Sequence, residues 1–230
     1  MKLINNKELE KSSIVANSLM NRERNLTGSN SYSRDLSFDV INYLREKLLS
    51  QKKVAWLDVC CGKGKALIEA AKLLSVKNEN RKIKLIGIDL VDAFESHSIK
   101  EQWLELKGTS ISSWNTDQEF DLITCVHGLH YIGDKLETIR KVSSWLADGG
   151  IFIANLDLKN LKFENGKNAG RNIISNIKKL GIDYDSRKRL LICKGKKILN
   201  LPYHYIGADE QAGPNYTGQS AVDSYYRDKV

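Results

Sequence analysis

The segment from Val54 to Leu74 constrains this chain more than any other. Val54-Ala55-Trp56-Leu57-Asp58-Val59 is an apolar, β-rich run that enters the tight sequence Cys60-Cys61-Gly62-Lys63-Gly64-Lys65. It passes at once into Ala66-Leu67-Ile68-Glu69-Ala70-Ala71-Lys72-Leu73-Leu74, which reads as a helix. Strand, glycine turn and helix in that order let a backbone approach a nucleotide-like ligand closely. A second apolar run, Ile83-Lys84-Leu85-Ile86-Gly87-Ile88-Asp89, also ends in an acid. Asp89 lies 27 residues beyond Gly62, a little past the roughly 20 expected of a ribose-binding acid in a dinucleotide fold.

Two phosphate-binding fingerprints fail here. The dinucleotide pattern G-x-G-x-x-G finds Gly62 and Gly64 but then Leu67, and the P-loop lysine, Lys65, is followed by Ala66 rather than Ser or Thr. What fits is acid-x-Cys-x-Gly-x-Gly, from Asp58 to Gly64. Later come Glu119-Phe120-Asp121-Leu122-Ile123-Thr124-Cys125-Val126-His127 and the turn and strand Leu146-Ala147-Asp148-Gly149-Gly150-Ile151-Phe152-Ile153-Ala154. In this order, over residues 50–156, these motifs resemble those of the Rossmann-like (class I) S-adenosylmethionine (SAM) methyltransferases. The resemblance implies a seven-stranded, mostly parallel, doubly wound sheet with an antiparallel C-terminal hairpin. It also implies SAM as cofactor and S-adenosylhomocysteine (SAH) as product.

Residue by residue, the resemblance places Asp58, Cys60 and Gly62 near the methionine part of the cofactor and gives Asp89 the two ribose hydroxyls. A carboxylate has two oxygens for a vicinal diol. Leu90 would cover one face of the adenine. Many family members carry an acid after the third strand that reads the adenine amino group; here Gly108-Thr109-Ser110 stands in its place, so that contact passes to Thr109, Ser110 or backbone. His127, ending the fourth strand, closes the same crevice. Tyr32 and Arg34, on the loop before the core, are candidates for holding the SAM carboxylate, since guanidinium suits bidentate carboxylate binding. The plain alternative is that Tyr32 packs and Arg34 pairs with a surface acid.

Methyl transfer needs a base only when the acceptor arrives protonated. His127, His130 and His204 are the candidates, with Tyr131, Tyr203 and Tyr205 as orienting groups; each histidine has a structural role as its alternative. His127 and His130 stand three residues apart without further ligands, and that is no metal site.

The 230 residues suit one domain, read as a helical cap (1–50), a Rossmann-like core (51–206) and a tail (207–230). Within the cap, Leu9, Ile14, Val15, Leu19 and Met20 suggest an amphipathic helix over 7–24, and Phe38 to Leu49 a second. Ala169 to Leu180 reads as a helix. Arg189–Cys193 and Lys197–Leu201 read as a hairpin around Lys194-Gly195-Lys196. The tail, rich in tyrosine and poor in aliphatics, is expected to line an acceptor pocket rather than to join the core.

No apolar run approaches a membrane span and no secretory leader is visible, so a cytoplasmic protein is expected. Adjacent Cys60 and Cys61 suit neither a disulfide framework nor a metal knuckle, leaving Cys60, Cys61, Cys125 and Cys193 as reduced thiols. The net charge of +8 sits between Lys159 and Asn200, where twelve Lys and Arg face three acids. That stretch keeps an RNA acceptor in view, yet no aromatic–basic interleaving for base stacking accompanies it. The fourth strand also lacks the [DN]-P-P-[YF] that clamps an extruded base. A small-molecule or peptide acceptor, methylated on N or O, is the favoured expectation. The rivals are an RNA methyltransferase and a non-catalytic SAM-binding or partner-binding subunit.

Overall fold

The computed structural model of the chain describes residues 2–16, 23–76 and 78–229. Five parallel strands carry it: β1 (Val54–Val59), β2 (Ile83–Asp89), β3 (Leu104–Gly108), β4 (Phe120–Cys125) and β5 (Leu146–Asn155). After β5 the chain forms a short strand, β6 (Leu161–Phe163), outside this sheet and returns as β7 (Ile182–Asp185) and β8 (Leu190–Lys194). β8 runs antiparallel to both β5 and β7. The order is β3-β2-β1-β4-β5-β8-β7, so the chain reverses its direction of travel across the sheet between β1 and β4. Ligands of open α/β sheets bind at such switch points, outside the carboxyl ends of the strands.

Strands covered on both faces read as continuous apolar runs, and alternate side chains divide between the faces. In β1, Trp56 joins one core while its neighbour Leu57 joins the other. On the Trp56 face lie helices α3 (Tyr32–Leu36), α4 (Val40–Ser50) and α5 (Lys65–Ser75), through Leu36, Leu44, Leu67 and Leu74. On the Leu57 face lie α6 (Lys135–Ser144) and α7 (Gly170–Lys179), through Ile139, Val142, Ile173 and Ile177.

Three expectations are corrected. The hairpin at the sheet edge is β7–β8, turning at 186–189; Lys197–Leu201 forms no strand, and instead buries Leu199 and Leu201 against the α7 side. The tail is not peripheral. β9 (Tyr203–Asp209) and β10 (Asp223–Asp228) join β6 in a second sheet, with β10 in the middle. Tyr226 is 1% exposed within the main core, so the tyrosines supply the buried area that the missing aliphatics do not. Finally, the N-terminal segment is no single helix where it is described: α1 (Asn6–Leu9) and α2 (Ser13–Ala16) are separate turns, and 17–22 lie outside the described residues.

The N-terminal and C-terminal segments form one cap. Ile4 exchanges two backbone hydrogen bonds of 2.9 Å with Ala208 of β9, and Leu9 packs with Ala208 and Val222 in a small core of their own.

Candidate functional site

The turn after β1 is set by backbone geometry. Cys60, Gly62 and Gly64 all have positive φ (59°, 60° and 75°), a region open to glycine and uncommon for other residues. At Gly64 a Cβ would also lie 2.8 Å from Leu106, so the turn rests directly on β3. The Gly62 amide donates to Asp89 Oδ2 at 2.9 Å, and Val91 N donates to Oδ1 at 3.0 Å. The acid that ends β2 thus fastens the loop that follows β1.

Around Asp89 a cavity of about 130 Å³ is lined by Cys60, Leu90, Thr109, Ser110, Ile111 and Tyr131, among others. The fold therefore brings together six residues singled out from the sequence: Cys60, Asp89, Leu90, Thr109, Ser110 and Tyr131. The far wall comes from the cap, through Asn6, Leu9, Glu10 and Val15. Glu10 accepts hydrogen bonds from Ser110 Oγ (2.5 Å) and Ser112 Oγ (2.7 Å). A carboxylate from the cap thus stands beside the loop after β3, where the sequence itself has none.

Asp58 and Tyr32 lie beneath this surface. Asp58 is fully buried; its carboxylate accepts from Tyr32 Oη and from Thr124 Oγ1, both at 2.6 Å. Thr124 in turn accepts from Trp56 Nε1 at 2.8 Å. The Tyr32 hydroxyl is therefore engaged inside the protein, tying α3 to β1. Arg34 is exposed and donates to the Ser29 carbonyl at 2.9 Å, away from the cavity. His204 is exposed on β9, in the second sheet, and is not brought to the site either.

A second cluster sits past the carboxyl ends of β4 and β5. His127 holds φ 58° at the turn after β4; its amide donates to Asn155 Oδ1 at 3.2 Å, and its Nε2 lies 3.2 Å from Asp35 Oδ2. Asp35 is paired with Arg24, Nε to Oδ2 at 2.6 Å. The His130 ring centroid is 5.5 Å from that of His127, and Tyr216 lies 6.0 Å from His127 and 5.5 Å from His130. Among the described residues, neither ring nitrogen of His127 or His130 has an aligned hydrogen-bond partner. Buried polar atoms are rarely left so. Burial pushes His130 well below the usual histidine range, helped by the charges of His127, Lys135, Arg24 and Arg189. Burial also lowers His127, although Asp35 acts against it. Asp35 is raised by burial, but nearby His127 and Arg24 outweigh this and hold it low.

Glu10, Arg24, Asp35, Asn155 and Tyr216 escaped the sequence reading as site residues. The surplus of tyrosine in the tail was the one signal that pointed toward Tyr216. Among the described residues, no three His, Cys, Asp or Glu side chains form a group able to hold a metal ion, and no helix is long and apolar enough to cross a membrane. All four cysteines are free.

A profile of the methyltransferase domain matches residues 30–187, well over half of the chain. No curated protein matches it. Among solved structures the chain is similar to YjhP from E. coli, at 17% identity over 51% of this chain and 49% of that one (TM-score 0.37). It is also similar to an S-adenosylmethionine-dependent methyltransferase from Clostridium acetobutylicum, at 24% identity over 54% and 50% of the two chains (TM-score 0.34). A third is the plantazolicin methyltransferase BpumL, solved with SAH, at 20% identity over 80% and 67% (TM-score 0.45). The matched region spans about half the length of YjhP. With its strand order, its glycine turn after β1 and the acid ending β2, the chain belongs to the methyltransferase-domain family, of the Rossmann-like, SAM-dependent class.

Proposed function

We propose that this chain transfers a methyl group from SAM to a nitrogen or oxygen of a small-molecule or peptide acceptor. The observation that carries this reading is Asp89: a carboxylate at the end of β2, fastened to the Gly62 amide and lining a cavity at the switch point. The walls suit a nucleoside. Leu90 and Ile111 offer apolar faces to a base, Asp89 suits a diol, and Thr109 and Ser110 add hydroxyls. At about 130 Å³ the enclosed space is below the ~300 Å³ at which ligand pockets begin, so this reading requires more room than the cavity between Asp89 and the Leu9, Glu10 and Val15 wall offers.

Bound SAM supplies a methyl group already activated on a sulfonium, and positioning of the acceptor contributes much of the acceleration. His130 is assigned the role of base by position, its ring 5.5 Å from those of both His127 and Tyr216, and burial keeps it neutral at rest. His127 sits between His130 and the Asp35 carboxylate and is suited to orient the acceptor. A compact acceptor is favoured over RNA because several cations of the basic stretch are engaged locally. Lys162 pairs with Asp223, Lys196 with Glu119, and Lys159 donates to the Pro214 carbonyl.

The test is titration of wild type and Asp89→Ala with SAH by calorimetry. Losing a buried carboxylate's bonds to a diol costs about 1.5–3 kcal/mol, roughly ten- to a hundredfold in affinity. Unchanged affinity in a folded variant removes the ribose assignment. Tight SAH binding without turnover on any N- or O-acceptor leaves a binding subunit instead.

A further inference from the structure

Arg189 is the residue of this region that the fold explains least. It closes the β7–β8 turn with φ 53°, where glycine fits without strain and another residue carries a penalty. Its backbone is fixed beside the end of β5, since the Arg189 carbonyl accepts from Leu156 N at 2.9 Å. Its side chain is half-buried, with the guanidinium carbon 4.1 Å from the centroid of the Tyr216 ring. Among the described residues this guanidinium has no ion pair, whereas Arg24 nearby is paired with Asp35. The Tyr216 ring that it covers is the one packed on His127 and His130; among the described residues their ring nitrogens have no aligned hydrogen bond, although His127 Nε2 stands 3.2 Å from Asp35. A strained backbone, a guanidinium stacked without an acid in an ion pair, and two buried imidazoles, of which only His127 has a carboxylate (Asp35) beside it, meet at a single tyrosine.

We propose that Arg189 and Tyr216 form the acceptor-recognition corner of the site, and that the acceptor is a flat or compact molecule bearing a carboxylate. The proposal rests on the methyl-transfer reading and names its substrate class. A guanidinium held flat on an aromatic face keeps its N–H edge free to grip two oxygens of one monoanion. Tyr216, in contact with Arg189 and with both histidines, fixes the plane of that guanidinium and leaves the acceptor body beside it. The acceptor's nitrogen or oxygen forms its bond to the methyl carbon as the sulfonium–methyl bond breaks, SAH leaves as the neutral thioether, and the proton that the acceptor atom loses goes to His130 on the neighbouring imidazole pair. Tyr216 comes from the β9–β10 connection and Arg189 from the β7–β8 turn, so acceptor choice is assigned to the two segments that follow the cofactor-binding half.

The test uses benzoate as the probe and benzamide as its uncharged match. Ring carbon–proton NMR signals of His127 and His130 are followed in the full chain saturated with SAH. Benzoate shifts them and benzamide does so at least tenfold more weakly. Arg189→Gly, which relieves the positive φ, melts no lower than wild type, binds SAH as wild type does, and loses benzoate at least tenfold. Arg189→Lys, with the charge but without the fork, falls between. Equal binding of benzoate by Arg189→Gly and wild type, or equal responses to benzoate and benzamide, overturns the proposal. Failure of wild type to bind SAH overturns the methyl-transfer reading instead, and benzoate titration without SAH then still decides whether Arg189 holds a carboxylate.

Discussion

Asp58 stands at the centre of a buried polar cluster beside the glycine turn. It lies in a buried hydrogen-bonded chain running from Trp56 through Thr124 to Tyr32, two residues before the turn that carries Cys60 and Gly62. Burial lifts its pKa to about 7, against the hydrogen bonds from Thr124 and Tyr32. A carboxyl whose folded pKa exceeds its unfolded value near ~3.9 stabilises the fold below that value. The contribution is lost as pH rises through about 7. Tyr32→Phe removes a donor from a buried carboxylate, which costs about 1–3 kcal/mol, and it pushes the Asp58 pKa higher still. The stability gap between wild type and Tyr32→Phe, measured in urea, is therefore expected to be wider at about pH 8 than at about pH 5. A gap equal at both would show that the Tyr32 hydroxyl does not bear on the ionisation of Asp58.

Between elements, a buried lysine is one of the ties between the connection from β4 into α6 and β10, beside Gly133 with Ser224 and Leu136 with Tyr226. Lys135 is fully buried and its ammonium donates to Ile132 O (2.8 Å), Val222 O (2.8 Å) and Ser224 Oγ (2.7 Å). Burial lowers its pKa to about 7, opposed by Asp223, Asp134 and Asp157. From there up to the ordinary lysine value the unfolded chain binds more protons than the folded one, so this group adds stability as pH rises, by at most ~1.4 kcal/mol per unit. Lys135→Met loses the hydrogen bonds and also the slope. Unfolding free energies at about pH 7, 8 and 9 are expected to diverge in favour of wild type; parallel values would mean that Lys135 does not titrate in this range. Elements of this kind were unequally legible in the sequence. The parallel strands were plain because double burial makes them unbroken apolar runs. The edge hairpin was displaced because Gly195 (φ 70°) advertises a turn, whereas the real one places an arginine in the glycine conformation. Asp89 could be read from its place at a strand end, but no local pattern marks Glu10, which reaches Ser110 across 100 positions of sequence.

At the scale of the whole molecule, the cap is built from both chain ends, and they do not carry equal weight. The N-terminal contribution is one two-way backbone bridge at Ile4, the Glu10 carboxylate and a small core around Leu9. The C-terminal contribution is larger. β10 is the central strand of its sheet, holds Tyr226 inside the main core, and with Val222, the residue before it, offers Val222 O and Ser224 Oγ to Lys135. Removing a buried large aromatic alone costs about 3–5 kcal/mol, and leaving a buried ammonium short of acceptors adds to that. Such a loss is comparable with the ~5–15 kcal/mol of net stability that a domain has. Truncation after Ala212 is therefore expected to abolish cooperative thermal unfolding and SAH binding together, while deletion of residues 2–5 lowers the melting temperature by only a few degrees. If the truncated chain melts cooperatively near the wild-type temperature, β10 is an accessory strand, and the catalytic core stands without its second sheet.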